Sequence, residues 1–196
     1  MATLSEEPKY LFGGEARHWQ AESWVPSDDR VRGGKSTSHL EHVSRSRPED
    51  TVRFHGELDI TALGGAAGFA SRRSPERCRC RWGDLSRFDG LRLAIVGGDG
   101  KRYTLVLKDT VLPRRPDGRE QSTVSWEYDF AGLEGEVCVP WGNFRPTYRG
   151  RSKPDAEPLD LTSVKSISIM IRSFFGEQEG PFALGLQHIA ADVFRG

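Results

Sequence analysis

LRLAIVGGDGKRYTLVLKD, residues 91–109, decides the fold. On either side of GGDGK the chain alternates. Leu91, Leu93 and Ile95 share one parity, and Tyr103, Leu105 and Leu107 continue it, while Arg92, Thr104 and Lys108 take the other. Alternation of period two marks strands with one buried face, because successive side chains leave a pleated backbone on opposite sides. GGDGK between the two runs reads as a hairpin turn. It has neither the spacing nor the following helix of a phosphate-binding loop.

The same period recurs outward from there. SWEYDF (125–130), EVCVP (136–140), SISIMIRS (166–173), FALGLQHI (182–189) and TVRFHGELD (51–59) read as strands, with residues 36–43 a weaker one. The 22 Gly and 11 Pro punctuate them at short intervals. DLSRFDG (84–90) suits a short capped turn, and residues 113–121 and 150–158 are polar excursions between strands. WGNFRPTYRG (141–150) and IRSFFGEQEGPFALGL (171–186) set aromatic or Arg side chains beside Gly or Pro, so bulky groups stand on forced turns there. With no helical period of useful length, the pattern predicts an all-β antiparallel sandwich or barrel.

Parity sorts the strands into faces. Val52, Phe54, Trp126, Tyr128, Phe130, Ile167, Ile169, Ile171, Phe182, Leu184 and Leu186 join the apolar set and predict the core. The opposite parity carries Arg53, His55, Lys108, Glu127, Asp129, Ser168, Met170, Arg172, Ala183, Gly185 and Gln187. This face is either an ordinary solvated sheet or a concave groove. In the second case small residues leave room for a ligand that Lys108, Glu127, Arg172 and Gln187 orient.

Composition narrows the function classes. Lys+Arg and Asp+Glu are 28 each in 196 residues, so no net field draws the chain to nucleic acid or acidic lipid. The Arg-rich patch at 72–81 has no aromatic stacking platform and reads as a solvated loop. Cys78, Cys80 and Cys138 make neither a disulfide framework nor a zinc site. No apolar run reaches the length of a membrane span. The acidic N-terminus resembles neither a secretory signal nor a transit peptide, which predicts a cytoplasmic protein.

Chemistry is sparse. His39 and His42, three apart on a strand, fall on opposite faces and make a poor metal pair. His55 faces the polar side, and nothing nearby in sequence marks it as a general base. His188 reads as a solvent-touched histidine near a loop. Glu127 and Asp129 share a face, as paired carboxylates of a glycosidase do. Asp28–Asp29 offers either an Asx turn or oxygen ligands for a structural calcium. Tyr148 and Arg149 follow Pro146 in a turn, where the arginine either clamps an anion or holds loop carbonyls.

A family resemblance then emerges. SWVPSDDRVRGGKSTSHL, LGGAAGFASRR, DLSRFDGLRLAIVGGDGKRYTLVLKD, PWGNFRPTYRGR, LDLTSVKSISIMIRS and GPFALGLQHIAA resemble, in order, the segments of the CIA30 family, complex I intermediate-associated protein 30. The IRSFFGEQEG form is similar to its short stand-alone fungal type. The resemblance implies a galactose-binding-domain-like β-sandwich, a jelly roll, over residues 24–196; the residues themselves read 1–23 as an appendage packed by Trp19 and Trp24. The resemblance also implies an assembly chaperone and, against the cytoplasmic reading, a mitochondrial location. The expectation is a non-catalytic binding module without cofactor or metal, monomeric or weakly dimeric. It would engage a protein partner or small ligand through His55, Lys108, Glu127, Tyr148, Arg149, Met170, Arg172 and Gln187. Alternatives are a cofactor-free isomerase or cyclase using the same groove, and a carbohydrate-binding module. The last is disfavoured because Trp126 has core parity.

Overall fold

The computed structural model describes residues 7–14, 17–44, 50–62, 64, 67–75, 82–116 and 120–194. Cys78 and Cys80 lie outside them. The strands are β1 (Lys9–Gly13), β2 (Val25–Pro26), β3 (Thr37–Ser44), β4 (Thr51–Leu58), β5 (Phe69–Arg73), β6 (Gly90–Gly98) and β7 (Arg102–Lys108). They continue with β8 (Ser125–Ala131), β9 (Gly135–Pro140), β10 (Arg145–Tyr148), β11 (Arg151–Ser152), β12 (Ser166–Arg172) and β13 (Gly180–Asp192). Every strand pairing is antiparallel. Among the described residues no helix is long and apolar enough to cross a membrane.

Two sheets result. The first runs β3-β4-β13-β6-β9 with β1 on β13, and the second runs β11-β10-β8-β7-β12-β5-β2. Within them β4-β13-β6-β9 faces β5-β12-β7-β8, and the chain switches sheet at most steps; this is the jelly-roll order. Inward residues of both sheets make one core, with Phe54, Leu91, Leu93, Tyr103, Leu105, Ile167, Ile169, Ile171 and Leu184 all but sealed from solvent.

The crossover corrects the reading of GGDGK. β6 belongs to the first sheet and β7 to the second, so the segment is a corner between layers and not a hairpin. The Asp99 carboxylate fixes it by accepting from the Lys101 amide at 2.9 Å, the Tyr103 hydroxyl at 3.0 Å and the Ala183 amide of β13 at 2.9 Å. Burial, and then the Asp99 charge, push the Tyr103 phenol well above its ordinary pKa. It is a neutral donor in the core.

β13 breaks parity within itself. Its pairing with β6 shifts between Leu186 and His188, so Leu184 and Leu186 face inward before the irregularity and Ile189 and Ala191 after it. The slip turns His188 out beside Tyr10, with ring centroids 5.1 Å apart. Upstream of residue 24, β1 pairs with β13, and Leu11 and Trp19 enter the core. The Trp19 indole donates to the Gln187 carbonyl at 2.8 Å. Arg72 and Arg73 are not in a solvated loop either. Both belong to β5, where Arg72 donates to the Ser38 and Trp24 carbonyls and Arg73 pairs with Glu120.

Candidate functional site

The outer face of the second sheet brings four of the expected residues together. Strand registers set Glu127 beside Val106, Val106 beside Ser168, and Met170 beside Thr104. Lys108 stands opposite Ser166 and Arg172 opposite Phe69. Arg172 reaches over β7 to both acids of β8. Its Nη1 donates to Glu127 Oε2 at 2.6 Å and its Nη2 to the Asp129 oxygens at 2.7 and 3.0 Å. Thr147 on β10 donates to the other Glu127 oxygen at 2.7 Å, and Thr104 to Asp129 at 2.6 Å. Lys108 donates to Thr123 at 3.2 Å.

Of the small residues read on one polar face, Ala183 and Gly185 lie on β13 of the first sheet, away from Ser168 on β12 of the second. Thr104, Ser71 and Ser168 are buried, and the long side chains of Met170 and Arg172 stand on the same face. Glu127, only 9 % exposed, is held by charge-assisted bonds that fix its geometry. Both carboxylates are engaged with one guanidinium, an arrangement suited to holding a surface in shape rather than to moving a proton.

At one end of this face the loop after β12 carries an outlying feature. Phe174 and Phe175 have φ of 48° and 63°, in the left-handed region where an L side chain is strained. The Phe174 ring is stacked by Arg102 at 4.2 Å and Arg172 at 4.7 Å. Gln178 pins the loop by donating to the carbonyls of Arg172 at 2.7 Å and Arg102 at 2.8 Å. Arg102 also pairs with Glu177 at 2.9 Å. Phe175, held by that frame, is 94 % exposed. The sequence signal was FFG beside a forced turn, but neither phenylalanine was among the expected site residues.

The remaining candidates lie elsewhere. His55 is on the first sheet, 3.1 Å from Glu41 and stacked on His39 with centroids 5.4 Å apart. Gln187 sits at the β13 irregularity under Trp19. An isomerase in this groove would orient its substrate with Arg172, Lys108 and Gln187 and shuttle a proton with Glu127 or His55. Arg172, Lys108 and Glu127 lie together on the second sheet, while Gln187 and His55 lie on the first. Tyr148 ends β10, beside the outermost strand β11, and Arg149 follows it in the turn between them. Arg149 has φ of 53°, donates to Ser122 at 3.2 Å, and lies 5.4 Å from the Tyr148 ring centre.

Tyr148 faces the side opposite Thr147, into a cleft of about 590 Å³ lined also by Trp126, Leu112, Thr123, Lys153 and Asp155. Trp126 keeps its core parity yet is only half-buried, so one side of its indole meets this cleft. That removes the objection to carbohydrate binding drawn from its parity.

Asp28 and Asp29 spend their carboxylate oxygens on hydrogen bonds to residues distant in sequence and not on Asx turns. Asp28 accepts from the Ser38 hydroxyl at 2.6 Å and the Ser71 amide at 3.0 Å. Asp29, fully buried, accepts from the Ser36 amide at 3.0 Å, its hydroxyl at 2.7 Å and the Phe69 amide at 3.1 Å. The pair ties the β3 region of one sheet to β5 of the other. Among the described residues no group of three or more His, Cys, Asp or Glu is arranged to hold a metal ion. Burial, then the neighbouring Arg92 charge, lower the His188 pKa.

Comparison with known proteins agrees with this architecture. The chain is 39 % identical over 185 residues to an uncharacterised protein of Schizosaccharomyces pombe, covering 92 % of this chain and 82 % of that one. Among solved structures it resembles the family 11 carbohydrate-binding module of Clostridium thermocellum in complex with a β-1,3-1,4-mixed-linked tetrasaccharide. The TM-score is 0.59 at 13 % identity, over 96 % of this chain and 98 % of the other. The same module from cellulase Lic26A-Cel5E gives a TM-score of 0.58 at 12 % identity over 97 % of both chains. Those likenesses describe a shared fold. The model of complex I intermediate-associated protein 30 matches residues 11–186, and the chain belongs to the CIA30 family.

Proposed function

We propose that the chain is a non-catalytic binding module that docks a protein partner on the outer face of its second sheet, with Phe175 as the anchor. The observation that carries this is Phe175 itself, an almost wholly exposed aromatic held in strained backbone by a braced loop. Strain of this kind costs about 1–3 kcal/mol and persists where the surroundings impose it, commonly at functional sites. A phenylalanine sealed into a partner's pocket returns about 1.5–3 kcal/mol of apolar burial. Beside it, Arg172 is fixed by Glu127 and Asp129, and Met170 lies on the same face. Aromatic, Met and Arg side chains are those enriched in protein interfaces.

The family description supports a partner among the assembly intermediates of complex I, and with it a mitochondrial location in place of the cytoplasmic one. The test is affinity capture from native lysate with wild type and Arg172→Ala side by side. A partner held by wild type and lost by the folded variant supports the reading; equal capture by both refutes it. Organelle fractionation of the tagged chain decides its location.

A further inference from the structure

We propose that the cleft at the β8–β10 edge is a second binding site, for a neutral saccharide, independent of the partner face. Register places Pro146 opposite Trp126, so Tyr148 and Trp126 are diagonal neighbours on one side of the sheet. Such residues stand about 7–8 Å apart, within reach of large side chains. Both leave aromatic surface uncovered: Trp126 is half-buried and Tyr148 is 38 % exposed. The cleft volume of about 590 Å³ falls within the range of small-molecule sites, roughly 300–1,000 Å³.

Charge selects the occupant. Asp109, Asp155 and Glu157 on the walls oppose an anion. Lys153 on the wall and Arg149 over the Tyr148 ring oppose a cation, and Arg149 already takes one face of the ring. A neutral polyhydroxylated ring meets neither repulsion. Its C–H face packs on indole and phenol, and its hydroxyls both donate and accept. That matches walls carrying carboxylates, an ammonium and the hydroxyls of Thr110, Ser122 and Thr123. A wholly apolar ligand would leave those groups desolvated without partners.

The experiment titrates the full chain with cellotetraose, laminaritetraose and maltotetraose, each up to about 10 mM, following tryptophan emission and indole N–H resonances. At least one tetrasaccharide should bind and move the Trp126 signal. Tyr148→Ala should weaken it about tenfold or more with an unchanged melting temperature, and Arg172→Ala should leave it unaltered. Trp126→Phe, which keeps an aromatic wall and the packing, should weaken it less. Binding of none of the three overturns the proposal. So does an affinity that survives Tyr148→Ala, or one lost in Arg172→Ala instead. Because partner docking depends on Arg172 and sugar binding on Tyr148, either can fail without the other.

Discussion

Two acidic pairs, Asp28–Asp29 and Glu127–Asp129, show how the same side chains serve opposite ends. The first is buried, and most of its partners are backbone amides and serine hydroxyls of strands in both sheets. Those donors come from the β3 region of one sheet and from β5 of the other, so the pair is part of the fold. The second stands on an outer face and is held by one arginine and two threonines. Removing a side chain there disturbs the face more than the sandwich. The nature of the donors, more than the acids themselves, separates structure from recognition.

The largest expected effect breaks the first pair. Asp29→Ala strands the buried Ser36 and Phe69 amides and should cost about 2–5 kcal/mol, read as a lowered denaturant midpoint. An unchanged midpoint would return these aspartates to an ordinary surface loop. Arg172→Ala should cost less, about 1–2 kcal/mol, because Glu127 keeps its bond from Thr147 and Asp129 its bond from Thr104. A loss as large as that of Asp29→Ala would erase the distinction between the two pairs.

Phe175→Gly sharpens it further. Glycine accepts φ of 63° without strain and little packing is lost, so stability should rise by up to about 1 kcal/mol while partner capture falls. A fall in melting temperature would make Phe175 structural. The smallest effect concerns His188, on the first sheet. Its pKa is lowered on folding, so its contribution to stability is full above the unfolded value near 6.5 and is lost as pH falls below it. His188→Gln should therefore flatten part of the decline in melting temperature on acidification from pH 6.5. An identical pH profile for the variant would remove His188 from the account.

Much of the fold was legible because alternation is local. The strands around Leu93, Leu105, Ile169 and Leu184 follow from period two alone. What parity cannot supply is the sheet to which a strand belongs. GGDGK looks like a hairpin and is a corner, because pairing with β13 and β12 depends on residues roughly 60–100 positions away. For the same reason Lys108, Glu127, Met170 and Arg172 meet while His55 and Gln187, of equivalent parity, face the other way. The β13 irregularity reverses parity mid-strand, and Gly185 beside it read in the sequence only as a small residue of the polar face. Asp28 and Asp29 were misread because their partners Ser71 and Phe69 lie about forty residues on. Trp126 was placed on the correct side, but the incomplete cover at the sheet edge belongs to the loops and not to the strand.

Hydrogen–deuterium exchange on the captured complex tests the partner face most directly. Protection on partner binding should concentrate in β8, in β12 and in the loop bearing Phe174 and Phe175, and leave β3 and β4 of the first sheet as they are in the free chain. Protection centred on β3 and β4, with the Phe175 loop exchanging freely, would contradict the account.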